Sequence, residues 1–224
     1  MSDAMFRVDA LEKLQATLAA FDWTGLTDGR RQILDAFLRL ATTTGYSSVT
    51  MRALGKQVNV KAPSLYSHFP GGRDELVGAA LRWHYSQWAE GVVEVLRATN
   101  DPKTFLDVLV DHHVRSQLTM LENDMFDLLL ATDRISGILP AETRAEARHL
   151  VGLYDALYVG VIRDLGYEGD LSRLAAAIIT VLDGVRSWSG WDGDEASLGA
   201  IVDTASQVVG AMLESLSRAP IDVR

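Results

Sequence analysis

An all-α fold follows from three features of this 224-residue chain. Apolar residues recur at helical spacing from end to end. No stretch alternates with the period of two that a half-buried strand needs. Short turn signals then break the chain into helix-length pieces: Thr44-Gly45, Pro70-Gly71-Gly72, Asn100-Asp101-Pro102, Leu139-Pro140, Gly166 with Gly169, and Gly190 to Gly193. Helices joined by short turns must bury their apolar stripes on one another, which makes a helical assembly.

The elements read in order. Residues 8–21 form a weakly amphipathic helix with Leu11, Leu14 and Leu18 in line. Residues 29–43 place Ile33, Phe37 and Leu40 on one face. Two short helices follow, 51–58 and 62–69, and a long one, 74–98, begins after the Gly-Gly break. The helix 103–120 has Asp101 as N-cap and Pro102 at the first helical position, where a missing N–H costs least. Residues 124–133, 142–165, 171–188 and 196–216 complete the set. The expected organisation is an N-terminal helical extension (1–26) packed on the body, a three-helix head (27–72) and a larger helical body (73–224).

Composition narrows the function classes. Hydrophobic residues make up 48% of the chain, which excludes a disordered protein. With no cysteine there is no disulfide, thiolate metal site or cysteine nucleophile. No signal-peptide core opens the chain and no apolar run spans a bilayer, so a cytoplasmic location is expected. The net charge of −9 conceals a split: residues 27–85 carry eight Lys or Arg against four Asp or Glu, and the remainder is strongly acidic. A basic segment on an acidic body suits contact with phosphate. No paired carboxylates, nucleophile elbow or phosphate loop points to catalysis. His112 and His113 are adjacent and diverge by about 100° on a helix, so no metal site is expected, and no cofactor.

The informative stretch is Thr50 to Phe69. Thr50 is a good N-cap, and Met51, Leu54 and Val58 make one apolar stripe on a two-turn helix, with Gly55 allowing close approach. Asn59 stands where the chain must turn and tolerates the left-handed conformation. Val60 is expected to plug the angle between the helices. Pro63 suits the first turn of the next helix, whose Leu65 and Phe69 face inward. Lys61, Ala62, Ser64, Tyr66, Ser67 and His68 are left for the outside. Two short helices on such a turn need the preceding helix as a third wall, and the second enters the major groove.

These residues resemble the TetR family of transcription regulators. The resemblance lies in Thr50 with Arg52, the turn, Pro-Ser-Leu-Tyr-Ser-His-Phe at 63–69, and Arg73-Asp74-Glu75-Leu76. It runs from about Arg30 to Leu81. Asn59 stands where the family carries Gly, and Lys61 where it often has a Ser or Thr cap. The resemblance implies that Thr50, Tyr66, His68 and Arg73 touch phosphates. It implies that Lys61, Ala62, Ser64 and Ser67, with Arg52 and Pro63 beside them, face bases or flanking phosphates. It further implies a homodimer on a near-palindromic operator, released as a repressor by an unknown small-molecule effector. A helical small-molecule-binding protein without sequence-specific DNA binding is the alternative.

In the body, Trp88, Phe105, His112, Met125, Phe126, Leu129, Tyr154 and Tyr158 offer an apolar surface with a few polar groups, the character of a small-molecule pocket. The last two long helices are apolar over more than one face, which calls for a partner beyond the monomer core. Leu174, Ile178, Leu182, Val185, Ile201, Val208 and Met212 are the expected dimer contacts.

Overall fold

The computed structural model describes residues 5–217, the side chains of Ala62, Leu121 and 215–217 excepted. Among the described residues the regular structure is helical throughout: α1 (Phe6–Ala20), α2 (Asp28–Thr44), α3 (Met51–Gln57), α4 (Ala62–His68), α5 (Gly72–Leu96), α6 (Pro102–Thr119), α7 (Leu121–Ser136), α8 (Ala141–Asp164), α9 (Leu171–Asp183), α10 (Val185–Ser189) and α11 (Leu198–Ser217), with 3-10 turns at Tyr46–Ser48 and Glu195–Ser197. The chain forms two compact units. One comprises Leu18–Ala89 and Met120–Leu150; the other comprises, among the described residues, Glu90–Thr119, 151–217 and 5–17.

The first unit, the head unit, holds α2 to α4, most of α5, α7 and the start of α8. Ile33, Leu34, Phe37 and Leu38 of α2 are buried with Leu54, Leu65, Phe69, Leu76 and Val77. Directional bonds fix α5 within it. Trp83 Nε1 donates to Asp35, Arg82 pairs with both oxygens of Glu146 at 2.6 and 2.9 Å, and the Tyr85 hydroxyl donates to the Leu150 carbonyl. Gly78 allows the close approach of Thr143, whose Oγ1 would lie 3.3 Å from an added Cβ.

The second unit, the body unit, packs α6 against α9, α10 and α11 around Phe105, Leu109, Val114, Leu157, Ile178, Leu182 and Val209. The N-terminal helix is clamped here. Asp164 at the end of α8 accepts from the Phe6 and Arg7 amides and from the Arg7 guanidinium at 2.8 Å. Arg7 is buried, and Gly160 lies under its backbone, where a Cβ would come within 2.9 Å of the Arg7 Cα. Of the expected extension, the described residues up to Thr17 pack within this unit, and the chain from Leu18 belongs to the head unit, where Trp23 meets Trp83.

Two expectations need correction. The helix 171–188 is broken. Gly184 ends α9 with ψ near 3°, its N–H shared between the Thr180 and Leu182 carbonyls, and α10 starts anew at Val185. Glycine is a weak helix former, and the break lets Arg186 donate to the Gln117 and Leu118 carbonyls of α6. Val60 does not plug the head. It is 40% exposed, and fully buried Leu54, Leu65 and Phe69 supply that interior.

Candidate DNA-reading site

The turn between α3 and α4 is built from hydrogen bonds that the sequence makes available. Thr50 Oγ1 accepts from Ala53 N at 3.1 Å and starts α3. At the other end Asn59 adopts φ 56°, the one positive φ of a non-glycine among the described residues. Its N–H reaches Lys56 O at 3.4 Å, while Val60 N–H reaches Gly55 O at 2.8 Å. This pair of bonds is a Schellman closure, with Asn in place of the usual Gly. It sets the angle at which α4 leaves.

On α4 the buried Leu65 and Phe69 hold the helix down. Lys61, Pro63, Ser64, Tyr66 and Ser67 are exposed, as is Arg52 on α3, and His68 is half-buried against the backbone of Gly29. The expected position Ala62 has a side chain outside the described set. Ser67 donates to the Ser64 carbonyl at 2.7 Å, so its oxygen remains as an acceptor. The Tyr66 ring packs over Gly72, whose φ of 70° suits glycine, and its hydroxyl carries no hydrogen bond to a described residue. Arg52, Lys56 and Lys61 are exposed and enter no ion pair among the described residues. Between Asp35 and Asp74 the chain contains no carboxylate. That face carries uncompensated positive charge, as a phosphate-binding surface should.

Arg73, at the start of α5, is held from three sides. Its Nε donates to Val49 O at 3.1 Å, Nη2 to Tyr46 O at 3.1 Å and Nη1 to the Tyr46 hydroxyl at 3.2 Å, with the guanidinium 4.4 Å from the Tyr46 ring centroid. Sequence reasoning missed Tyr46 and Lys56. Lys56 was legible as one more base in the acid-free stretch, but nothing local links Tyr46 to an arginine 27 positions on.

The sequence profile described as "Bacterial regulatory proteins, tetR family" matches residues 33–80, the segment just described. A Bacillus subtilis protein described as the uncharacterized HTH-type transcriptional regulator YobS is 38% identical over 73 residues, covering 31% of this chain and 37% of its own length. The HTH-type transcriptional repressor KstR of Mycolicibacterium smegmatis is 27% identical over 160 residues, covering 71% and 76%. Residues 33–80 are the DNA-binding segment of the TetR family. The chain is a DNA-binding transcriptional regulator. Its fold agrees over most of the length. The crystal structure of a transcriptional regulator from Saccharomonospora viridis in complex with choline superimposes with a TM-score of 0.67 at 20% identity, covering 84% of this chain and 96% of that one.

The expected effector residues fall into two groups. Trp88, Met125, Phe126 and Leu129 belong to the head unit, where Met125 and Leu129 line a cleft of about 500 Å³ with Tyr46 and Leu128. Phe105, His112, Tyr154 and Tyr158 belong to the body unit. There His113, passed over in favour of its neighbour, is the polar hub. Its Nδ1 lies 2.9 Å from both the Tyr154 and Tyr158 hydroxyls and its Nε2 2.9 Å from Asp183. Asp183 only accepts, so in the neutral ring Nε2 holds the proton and Nδ1 takes one from a hydroxyl. Burial pushes the Tyr158 hydroxyl's pKa up. His112 differs. Its Nε2 is buried with no hydrogen-bond partner, and burial first, then His113, lowers its pKa.

The expected dimer contacts are largely used inside the protomer. Leu174, Ile178, Leu182, Val185 and Ile201 are buried, with no more than 9% of their surface exposed, and have little to offer a second copy. Val208 at 36% and half-buried Met212 retain surface. The exposed stripes are instead Ala176, Ala177 and Thr180 on α9 and Ala200, Thr204, Val208 and Ala211 on α11.

Proposed function

We propose that this regulator is a cytoplasmic homodimeric repressor that leaves a near-palindromic operator when a small molecule binds. The observation that carries this reading is the pair of exposed small-residue stripes on α9 and α11. The stretch Glu195–Glu214, the 3-10 turn and most of α11, contains an 18-residue window with a mean hydropathy of 1.3 of which only 33% is buried, although the stretch bears Glu and Asp and sits in a folded unit. A second copy covers such a face at the closest interhelical distance, because Ala and Thr keep the backbones near. Residues 27–72 are the reading head and 73–224 the effector-binding and dimerising part. Two α4 helices about 34–36 Å apart then read both half-sites, with Lys61, Ser64 and Ser67 nearest the bases and Thr50, Arg52, Tyr66, His68 and Arg73 on phosphates.

The effector-binding residues are proposed to be Phe105, His112, Tyr154 and Tyr158 within the body unit; Trp88, Met125, Phe126 and Leu129 are proposed to offer a separate apolar surface within the head unit. The unpaired Nε2 of His112 supports this, since a buried polar atom without a partner costs about 1–3 kcal/mol that a ligand hydrogen bond recovers. A ligand that lowers DNA affinity must bind DNA-loaded protein more weakly by the same factor.

Selection of bound sequences from random duplex DNA tests the reading. A palindrome with half-sites about one helical turn apart is expected. A single unrepeated half-site, or no enrichment, refutes dimeric operator binding. A metabolite screen that finds a tight binder without effect on the selected duplex refutes effector release.

A further inference from the structure

We propose that Tyr46 is a positioning residue for DNA binding: it holds the Arg73 guanidinium, still fully charged, in place for a phosphate. The proposal rests on the reading that Arg73 grips the DNA backbone, and its experiment separates the two.

The partners chosen for Arg73 carry the argument. Elsewhere in the molecule four arginines are matched to a carboxylate, Arg7 to Asp164, Arg82 to Glu146, Arg115 to Asp111 and Arg144 to Asp133, at 2.6 to 2.9 Å, while Arg186 donates to the Gln117 and Leu118 carbonyls within the body unit. Arg73 is held from several sides at 3.1 to 3.2 Å, and by neutral groups, two carbonyls, one phenol oxygen and one aromatic face. No described carboxylate lies within ion-pair distance of it. A staple whose work is only to tie the α2–α3 connection to α5 gains from a carboxylate, and this chain uses that solution four times. Neutral acceptors order the guanidinium without cancelling its charge.

Geometry adds a second argument. A guanidinium has five N–H donors, and three are taken by Val49 and Tyr46. Two remain, on a group whose rotamers are already fixed and which is still partly exposed. The entropy of ordering a long side chain is then lost on folding and not on binding. Gly72, the residue before Arg73, lies under the Tyr66 ring, so the free phenol of α4 and the charge at the start of α5 flank one backbone position. Tyr46 is itself seated by an edge-on contact with Phe37, fully buried in α2.

The experiment measures binding to a random-sequence duplex over a range of salt, because a phosphate contact is independent of sequence. Arg73→Ala is expected to weaken binding about tenfold and to lower the salt slope by about one. Tyr46→Leu, which removes the hydroxyl bond and the ring face but leaves the Val49 and residue-46 carbonyls, is expected to lose about threefold to tenfold and to flatten the slope in the same sense. Tyr46→Phe keeps the ring and the carbonyl and is expected to retain most of the affinity. In an Arg73→Ala background Tyr46→Leu is expected to add nothing.

Thermal unfolding of each variant shows which are folded. If Tyr46→Leu does not fold, Tyr46→Met decides by the same coupling with Arg73→Ala. An Arg73→Ala variant that binds as wild type overturns both the phosphate reading and the positioning role. If Arg73→Ala weakens binding and the Tyr46 substitution weakens it again by its full factor, or leaves the salt slope unchanged, only the positioning role is overturned.

Discussion

Trp83 of α5 donates its indole N–H to Asp35 of α2 at 2.9 Å, and the same ring takes an edge contact from Trp23 at 5.3 Å. The bond ties the first wall of the helix-turn-helix to the long helix that follows it. Trp83→Phe keeps much of the apolar area but leaves a half-buried carboxylate without its donor. A loss of about 1–3 kcal/mol is expected in urea unfolding, with the slope of the transition unchanged. Asp35→Asn in the same background is expected to restore part of it by removing the charge.

Asn59 concentrates strain at a single residue. Its φ of 56° costs an L residue with a branched β-carbon more than it costs Asn or Gly. Asn59→Val is expected to destabilise by about 1–2 kcal/mol and to weaken DNA binding, since the αL closure sets the exit of α4. Asn59→Gly is expected to be neutral within a few tenths of a kcal/mol. Equal stability of the Val and Gly variants contradicts this account of the turn.

The contacts of the recognition surface are separable by salt. Lys61→Ala and Lys56→Ala each remove an exposed, unpaired charge and are expected to reduce the salt slope by about one. Tyr66→Phe removes a neutral hydroxyl, so it is expected to lower affinity for every duplex about threefold to tenfold with the slope kept. A Tyr66→Phe variant that changes sequence preference instead places that hydroxyl on a base edge.

His84, buried on α5 with its ring 5.5 Å from Phe126, has its pKa lowered to about 4, chiefly by desolvation and against the pull of Glu122 and Asn123. Its value in the unfolded chain is about 6.5. Between these limits the unfolded state binds the proton and the native state does not, so stability rises with pH there. The stabilisation is complete above about pH 6.5, falls as the pH drops toward 4 and levels off below it, by about 3 kcal/mol in all. Urea midpoints of wild type and His84→Gln against pH check this; the variant is expected to flatten the window. An unchanged profile removes His84 as its source.

Much of this was legible in the chain. Thr50 and Asp101 cap the helices they were expected to cap, Asn59 turns left-handed, and Leu65 and Phe69 go inside. Local chemistry decides such features, and local chemistry is written in adjacent residues. The Arg73–Tyr46 clamp and the His113 hub join residues 27 to 70 positions apart, and only the fold brings them together. The expected dimer contacts show a different failure. Large side chains on α9 and α11 were the obvious choice for an interface, but size is what the protomer core needs. Leu174, Ile178, Leu182 and Val185 fill that core, and Ala176, Ala177 and Thr180 are left outside.

That reversal gives a sharp prediction. If a second copy covers α9 and α11, a large charged group on the small-residue stripe must block close approach without disturbing the protomer. Ala177→Arg and Ala200→Glu are exposed changes, expected to alter protomer stability by less than about 0.5 kcal/mol. Both are expected to yield monomers in sedimentation and to lose most operator affinity, because each half-site is then bound alone and the gain of a linked second contact disappears. Ile178→Ala, by contrast, opens a cavity in the body unit and is expected to cost about 2–5 kcal/mol of stability while the protein that remains folded still dimerises. Dimers that survive Ala177→Arg and Ala200→Glu together, with operator affinity unchanged, place the interface elsewhere.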